Sequence, residues 1–310
     1  MSIVVPTQQA NVAPSAVDRL LARPPSNLWR DAALRFSKNK LAMAAMIIVL
    51  LMVFTSVFAD VIAPNPNKSI LSDTRLFPGQ QSKITGQIYI LGTDDVGRDL
   101  LKRIIHGTRT SLLVGISVQA IALVVGMTLG LAGGFAGGWV DFVVMRIVEL
   151  FTAIPQLLFA LFLISIFGGG LVNVILAIGL IGWVDICRLV RAQLFSLREK
   201  EFIEAARAIG VPPFQIALRH LLPNSLTPLI IAVTLGIPTA IFTEAGLSFL
   251  GLGINEPIAS LGKMVGASSS YIRVYWHMGV FPTLMIALTM LSFSFVGDGL
   301  RDALDPRLKK

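Results

Sequence analysis

Few residues of this chain are placed to do covalent or metal chemistry. Its three histidines, His106, His220 and His277, are scattered and show neither metal-ligand spacing nor an HExxH pair. The single cysteine, Cys187, excludes an internal disulfide and a thiolate metal cluster. Gly92-xxxx-Gly97 has the glycine spacing of a phosphate loop, but Arg98-Asp99 follows where Lys-Ser or Lys-Thr is required. Gly262-Lys263 has Pro257 in place of the first glycine. No nucleophile is paired with a base, so a membrane-bound hydrolase has no support, and a chain without a phosphate loop cannot hydrolyse ATP itself.

What remains is charge in or beside apolar stretches. Arg146 and Glu149 stand three apart, as do Asp185 and Arg188, and each pair reads as an anchor near a helix end. Glu244 precedes the glycine-rich run Gly246 to Gly253 and has no partner in sequence reach. Glu244 and Gly246 are therefore candidate gate or pathway residues, the alternative being solvation of Glu244 at an interface.

One segment is amphipathic. Ser196 followed by Glu199 is a capping-box pattern that predicts a helix from Leu197. Phe202, Ala205, Ala206 and Ile209 then fall at i, i+3, i+4, i+7 as one apolar stripe, opposite Lys200, Glu201, Glu204 and Arg207. Gly210 supplies the left-handed residue that ends the helix, and Pro212-Pro213 begin another that runs to His220 or Leu222 and stops at Pro223. Such a helix suits either rest on a membrane surface or docking to a partner, whose close approach the alanines admit.

The elements that must carry these residues follow from composition. The chain has 310 residues, 54% hydrophobic and only 14% charged, with a mean hydropathy of +0.75. So few charges cannot coat a soluble globule of this size. A membrane span needs about 20 mostly apolar residues. Six stretches qualify, at Leu41–Ala59, Ser111–Leu131, Val143–Phe167, Leu171–Val190, His220–Thr243 and Val274–Gly297. The class is an all-α, polytopic membrane protein. The first stretch, with small residues at Val57 and Ala59, is read as a retained span, because its long basic lead exceeds what a signal peptide carries.

The net charge of +8 could signal nucleic acid, so its placement decides. With the N-terminus inside, 17 of the 26 Lys and Arg fall on the inner side and nine on the outer. That asymmetry places both termini in the cytoplasm and leaves no case for nucleic acid. Arg98, Lys102, Arg103 and Arg109 crowd the outer end of the second span and strain this topology.

Three other segments carry expectations of their own. Residues 1–25 are polar and Pro-rich and read as disordered, while Trp29, Ala32, Ala33 and Phe36 fit either a helix in the inner interface or a positively charged flank. Gly126, Gly130, Gly134 and Gly138, beside Gly133 and Gly137, leave a helix face bare for a neighbouring helix or second subunit, or for a pathway. The loop from Leu252 to Trp276 is long enough to touch a soluble receptor, and Tyr275 and Trp276 equally suit an aromatic belt.

Glu204-Ala205-Ala206, Gly210 and Leu222-Pro223 together resemble the EAA motif of ABC importer permeases, and Arg219 to Asn224 reads as in the peptide-transporter branch. Leu91 to Asp99, Leu247 to Gly253 and Gly297 to Pro306 further resemble the C-type permease subunit of dipeptide and oligopeptide (peptide/nickel family) importers. The resemblance implies the type I ABC importer permease fold in a bacterial inner membrane. Residues 1–40 and 298–310 would be cytoplasmic tails, 41–60 the first span, 61–110 an extracytoplasmic loop and 111–297 a five-helix core containing the coupling loop 191–224. It also implies a heterodimer with a homologous permease, two cytoplasmic ATPase subunits that bind ATP and Mg, and an extracytoplasmic solute-binding protein.

In that picture Glu204, Ala205, Ala206, Arg207, Ile209 and Gly210 couple to an ATPase, and the cargo is a di- or oligopeptide, nickel or another small solute. An ion-coupled secondary carrier is the rival class, and it would need midplane ionisable residues or broken helices in two related halves. Pro155 and Pro238 are read as interrupting the third and fifth spans, but neither an internal repeat nor a midplane carboxylate is visible in sequence.

Overall fold

A computed structural model describes residues 28–216 and 222–305. Along them the helices are α1 (Leu28–Lys38), α2 (Lys40–Val57), α3 (Ala59–Ile62), α4 (Leu100–Ala136), α5 (Gly138–Thr152), α6 (Gln156–Phe167), α7 (Leu171–Arg198), α8 (Glu201–Ala208), α9 (Pro213–Ile216), α10 (Leu222–Phe249), α11 (Leu261–Ser268) and α12 (His277–Leu304). Helices α2, α4, α7, α10 and α12 are each long and apolar enough to cross a membrane. Helices α5 and α6 meet that test together but bend by 84° between them, the geometry of a broken sixth span or of a re-entrant loop. The break falls at Pro155, which precedes α6 and cannot continue the hydrogen-bond ladder. Exposed Leu50, Phe54, Phe162 and Leu284 cover outward faces of the spans, as a hydrocarbon solvent requires.

The bundle is centred on α4 and α7. A side-chain carbon on Gly126 would lie 2.6 Å from the carbonyl oxygen of Trp183, one on Gly130 2.7 Å from that of Cys187, and one on Gly134 2.7 Å from Leu194. The glycine row is therefore an intrachain seam along which two backbones touch. Gly138 falls outside it, at the start of α5, and Gly133 faces Asp141 and Val144 of α5. Arg191 on α7 binds Asp141 through Nε–Oδ1 and Nη2–Oδ2, fixing α5 against the lower part of the seam.

Helix α12 packs against α2 and α10 with Gly299 facing Ala42 and Gly297 facing Leu235. Its last turn, at Ala303 and Leu304, receives Ala32 and Phe36 of α1, and Arg35 donates to the Asp305 carbonyl at 3.1 Å. Helix α1 thus packs on protein through Ala32 and Phe36 of its apolar face, while Trp29 and Ala33 of the same face stay exposed.

The span limits differ from expectation at polar ends. Helix α4 begins at Leu100, well before Ser111, because Asp99 caps it by accepting from Leu101 and Lys102 N–H. At 37 residues it is about 55 Å long, so its basic first turns stand clear of a hydrocarbon core of about 30 Å. Helix α7 runs beyond Val190 to Arg198, and α12 beyond Gly297 to Leu304. Pro238, expected to interrupt the fifth span, lies inside the continuous α10, as does Pro228. The N-terminal residues expected to be disordered lie outside the described residues.

Candidate functional site

The amphipathic segment starts later than its capping pattern predicts, because α7 continues through Ser196 and α8 begins at Glu201 after a two-residue break. Its phase also differs. Ile203 is fully buried and Ala206 buried, both packed among Val190, Leu194, Ile216 and Leu229. Glu204 and Ala205 point outward, and Ile209 is 81% exposed. The expected stripe is therefore split: Ala206 holds α8 to the bundle, while Ala205 and Ile209 join Glu201 and Glu204 on the free face. The side chains of Phe202 and Arg207 lie outside the described residues.

Gly210 has φ +79°, and Val211 N–H reaches back to the Ala206 carbonyl at 3.0 Å, closing α8 with a Schellman-type turn. Pro213 then opens α9. The stretch from Ala217 to Leu221, including Arg219 and His220, lies outside the described residues. Pro223 falls in the first turn of α10, where its missing N–H costs nothing.

Glu244 lies inside α10, fully buried, and is neither solvated nor at a helix end. Its Oε1 accepts from Ser248 and Ser260 Oγ, each at 2.8 Å, and its Oε2 from Ser111 Oγ at 3.4 Å. The carboxylate thus ties α4, α10 and the cap of α11 together, for Ser260 is the N-cap of α11. Gly246 is helical and partly buried beside Leu157, not part of a flexible run.

The connections at this end fold on one another. Asp94 accepts from Arg98 Nε at 2.6 Å, Arg98 Nη1 reaches Glu256 at 2.9 Å, and Arg103 reaches Glu256 at 3.3 Å and Asn67 at 2.7 Å. Burial opposes the Arg98 charge, but Asp94 and Glu256 outweigh it and hold its pKa above the ordinary value. Arg109 pairs with Asp60. The basic cluster that strained the topology is therefore largely neutralised within the chain. Tyr89 donates to Asp73 at 3.1 Å, and burial together with that carboxylate pushes its phenol up to about 12. Arg75 stacks over the rings of Tyr271 and Tyr275, so the loop between α11 and α12 packs on the loop before α4.

Residues 109–310 match the family described as binding-protein-dependent transport system inner membrane component, and residues 27–78 match the N-terminal TM domain of oligopeptide transport permease C. The chain belongs to this family of permeases. It is 38% identical over 285 residues to the oligopeptide transport system permease protein OppC of Bacillus subtilis, covering 92% of this chain and 91% of that one. It is 39% identical to the dipeptide permease DppC of Alkalihalophilus pseudofirmus, covering 91% and 90%. With the glutathione permease GsiD of Pectobacterium atrosepticum the identity is 37%, over 91% and 92%. An inward-facing structure of the MetNI methionine ABC transporter shares the fold, with a TM-score of 0.56 at 22% identity, over 66% of this chain and 98% of that one.

Of the permease's two other expected charge pairs, one forms and one does not. Arg146 and Glu149 do pair, on the surface. Asp185 does not bind Arg188, whose Nη2 donates instead to Thr152 Oγ1 at 2.8 Å. Asp185 sits at the midpoint of α7, not near the end of a helix, because α7 continues well past Val190 to Arg198. Two site residues were missed altogether: Gln119, the one amide in the middle of α4, and Ser248, four residues from Glu244 and hence within helical reach of it.

Proposed function

We propose that this permease is the membrane-spanning subunit of an ATP-driven importer of peptides and that α8 is where ATP hydrolysis is felt. The outward face of α8 carries the reading: two acidic residues, a small Ala205 and a bare Ile209 stand clear of the bundle on a helix whose other side is firmly seated. An isoleucine that exposed, flanked by carboxylates, fits a groove in a soluble partner better than open water. Glu204 makes the polar contact, Ala205 admits close approach, Ile209 fills the groove, Ala206 and Gly210 hold the helix in place, and Arg207 adds charge to the same segment. ATP and Mg belong to the two ATPase subunits.

A homologous permease completes the pathway, and an extracytoplasmic binding protein delivers the cargo to the end bearing residues 61–99 and 250–276. The termini and α8 then lie in the cytoplasm, in line with the basic excess on that side. The relatives' names, oligopeptide, dipeptide and glutathione, favour small peptides over nickel or an ion-coupled carrier. Closure of the ATPases on ATP biases a two-state switch of access through α8. Glu244 serves this as a fixed tie between helices at the outer end rather than as a surface that touches cargo.

The test is Gly210→Pro in the assembled importer. Proline fixes φ near −65° and cannot take the +79° of Gly210. Uptake should be abolished while the amount of subunit in the membrane is unchanged; retained uptake would remove α8 from the coupling role.

A further inference from the structure

A cavity of about 130 Å³ opens at mid-height in the bundle, between α4, α6, α7 and α10, with Gln119, Gln156, Asp185 and Thr239 contributing its polar lining. We propose that it is a substrate subsite in which Asp185 is the counter-charge, and Gln119 a hydrogen-bonding partner, for the ammonium group of the passing peptide. The inference rests on the peptide-importer reading above and assigns that pathway a place.

Three observations carry it. First, Asp185 has neither a hydrogen bond nor an ion pair among the described residues, and its basic neighbours are engaged elsewhere, Arg188 with Thr152 and Arg191 with Asp141. A carboxylate halfway along a span is too costly to face lipid and must face water or a cation. Second, the Gln119 amide is only 8% exposed and likewise has no hydrogen-bond partner among the described residues. It is held there by Gly236, where a side-chain carbon would fall 2.5 Å from the amide carbon. A buried amide left open toward a cavity is stabilised when a ligand supplies its partners. Third, the volume corresponds to about four waters, enough for the amino end of a substrate and too small for a whole peptide. The carboxylate would draw the ammonium end in and repel the carboxyl end, so the site would also orient the cargo.

The experiment uses the complete importer with its partner permease, ATPases and binding protein in proteoliposomes, and tri-alanine as cargo. Asp185→Asn should lower uptake about tenfold and Asp185→Glu should keep it within about twofold, the range expected for one charge-assisted hydrogen bond. Binding-protein-stimulated ATP hydrolysis should stay within about twofold of wild type in both, because the coupling contacts are untouched. Gln119→Leu should raise the half-saturating tri-alanine concentration several-fold with the same sparing of hydrolysis. Unchanged uptake in Asp185→Asn would overturn the proposal. So would ATP hydrolysis that falls in step with uptake, which would assign Asp185 to an ion pair with the partner permease. A wild-type importer that takes up neither tri-alanine, nor di-alanine, nor glutathione would instead overturn the peptide reading, and this subsite with it.

Discussion

The two ends of the helical bundle are made from similar residues and finished in opposite ways. At the end bearing residues 61–99 and 250–276, polar groups are consumed within the chain: Arg98 and Arg103 meet Asp94 and Glu256, Tyr89 meets Asp73, and three serines surround Glu244. At the other end, Glu199, Lys200, Glu201 and Glu204 all stand exposed around a single-sided helix. Buried hydrogen-bonded networks rigidify a structure, here even with Arg75 Nε and Arg103 Nε making no hydrogen bond among the described residues, whereas an exposed amphipathic face awaits a partner. Mutations at the first end should therefore be read in stability, and those at the second in assembly.

The largest effect is expected at Glu244. Glu244→Ala removes the acceptor of two short hydroxyl bonds in a buried site and should cost about 3 kcal/mol in thermal unfolding of the detergent-solubilised subunit. A loss under about 1 kcal/mol would show that the tie around Glu244 is dispensable.

Next comes Tyr89, whose phenol is raised from 10.0 to about 12 in the fold. A group with a raised folded pKa contributes stability that is complete below its unfolded value and lost as pH climbs through the folded one. The stability difference between wild type and Tyr89→Phe should thus be constant below pH 10 and shrink by about 2 kcal/mol toward pH 12 and above. A difference that does not change with pH would detach Tyr89 from the network.

The smallest stability effect belongs to Ile209→Ser, under about 0.5 kcal/mol because the side chain is already exposed. The same substitution should strip ATPase subunits from the complex during purification in mild detergent. A variant that melts lower but keeps its ATPases would reverse the comparison.

The spans were legible because the bilayer requires uncharged runs, and a run free of charge needs no tertiary information to be seen. Where they end was not, because the charges of Arg103 and Arg109 are matched by Asp94, Asp60 and a glutamate 153 residues beyond Arg103, none of them in helical reach. The phase of α8 was ambiguous for a related reason. Its alanines weigh little in any stripe, and the contact of Ile203 with the body of the bundle selects the face that the i, i+3, i+4, i+7 pattern left outward. Asp185 and Arg188 had the right spacing to pair, and spacing could not reveal that Thr152 competes for the arginine. The motifs at Leu91 to Asp99 and Leu247 to Gly253 were legible as patterns, and the fold supplies their physics: one caps α4 and holds Arg98, the other brings Ser248 to Glu244.

The two-residue break between α7 and α8 has a mechanical consequence. Asp185 and the end of α7 belong to one uninterrupted helix, and α8 is clamped back onto that helix through Ile203 and Leu194. From Asp185 to Arg198 the rod is about 20 Å long. It contains no proline and lies for part of its length against the glycine row of α4. A push on α8 therefore meets no soft joint before the mid-height cavity. The pair α4 and α7 would turn as a single lever, carrying the Asp185 carboxylate through an arc set by the movement of α8.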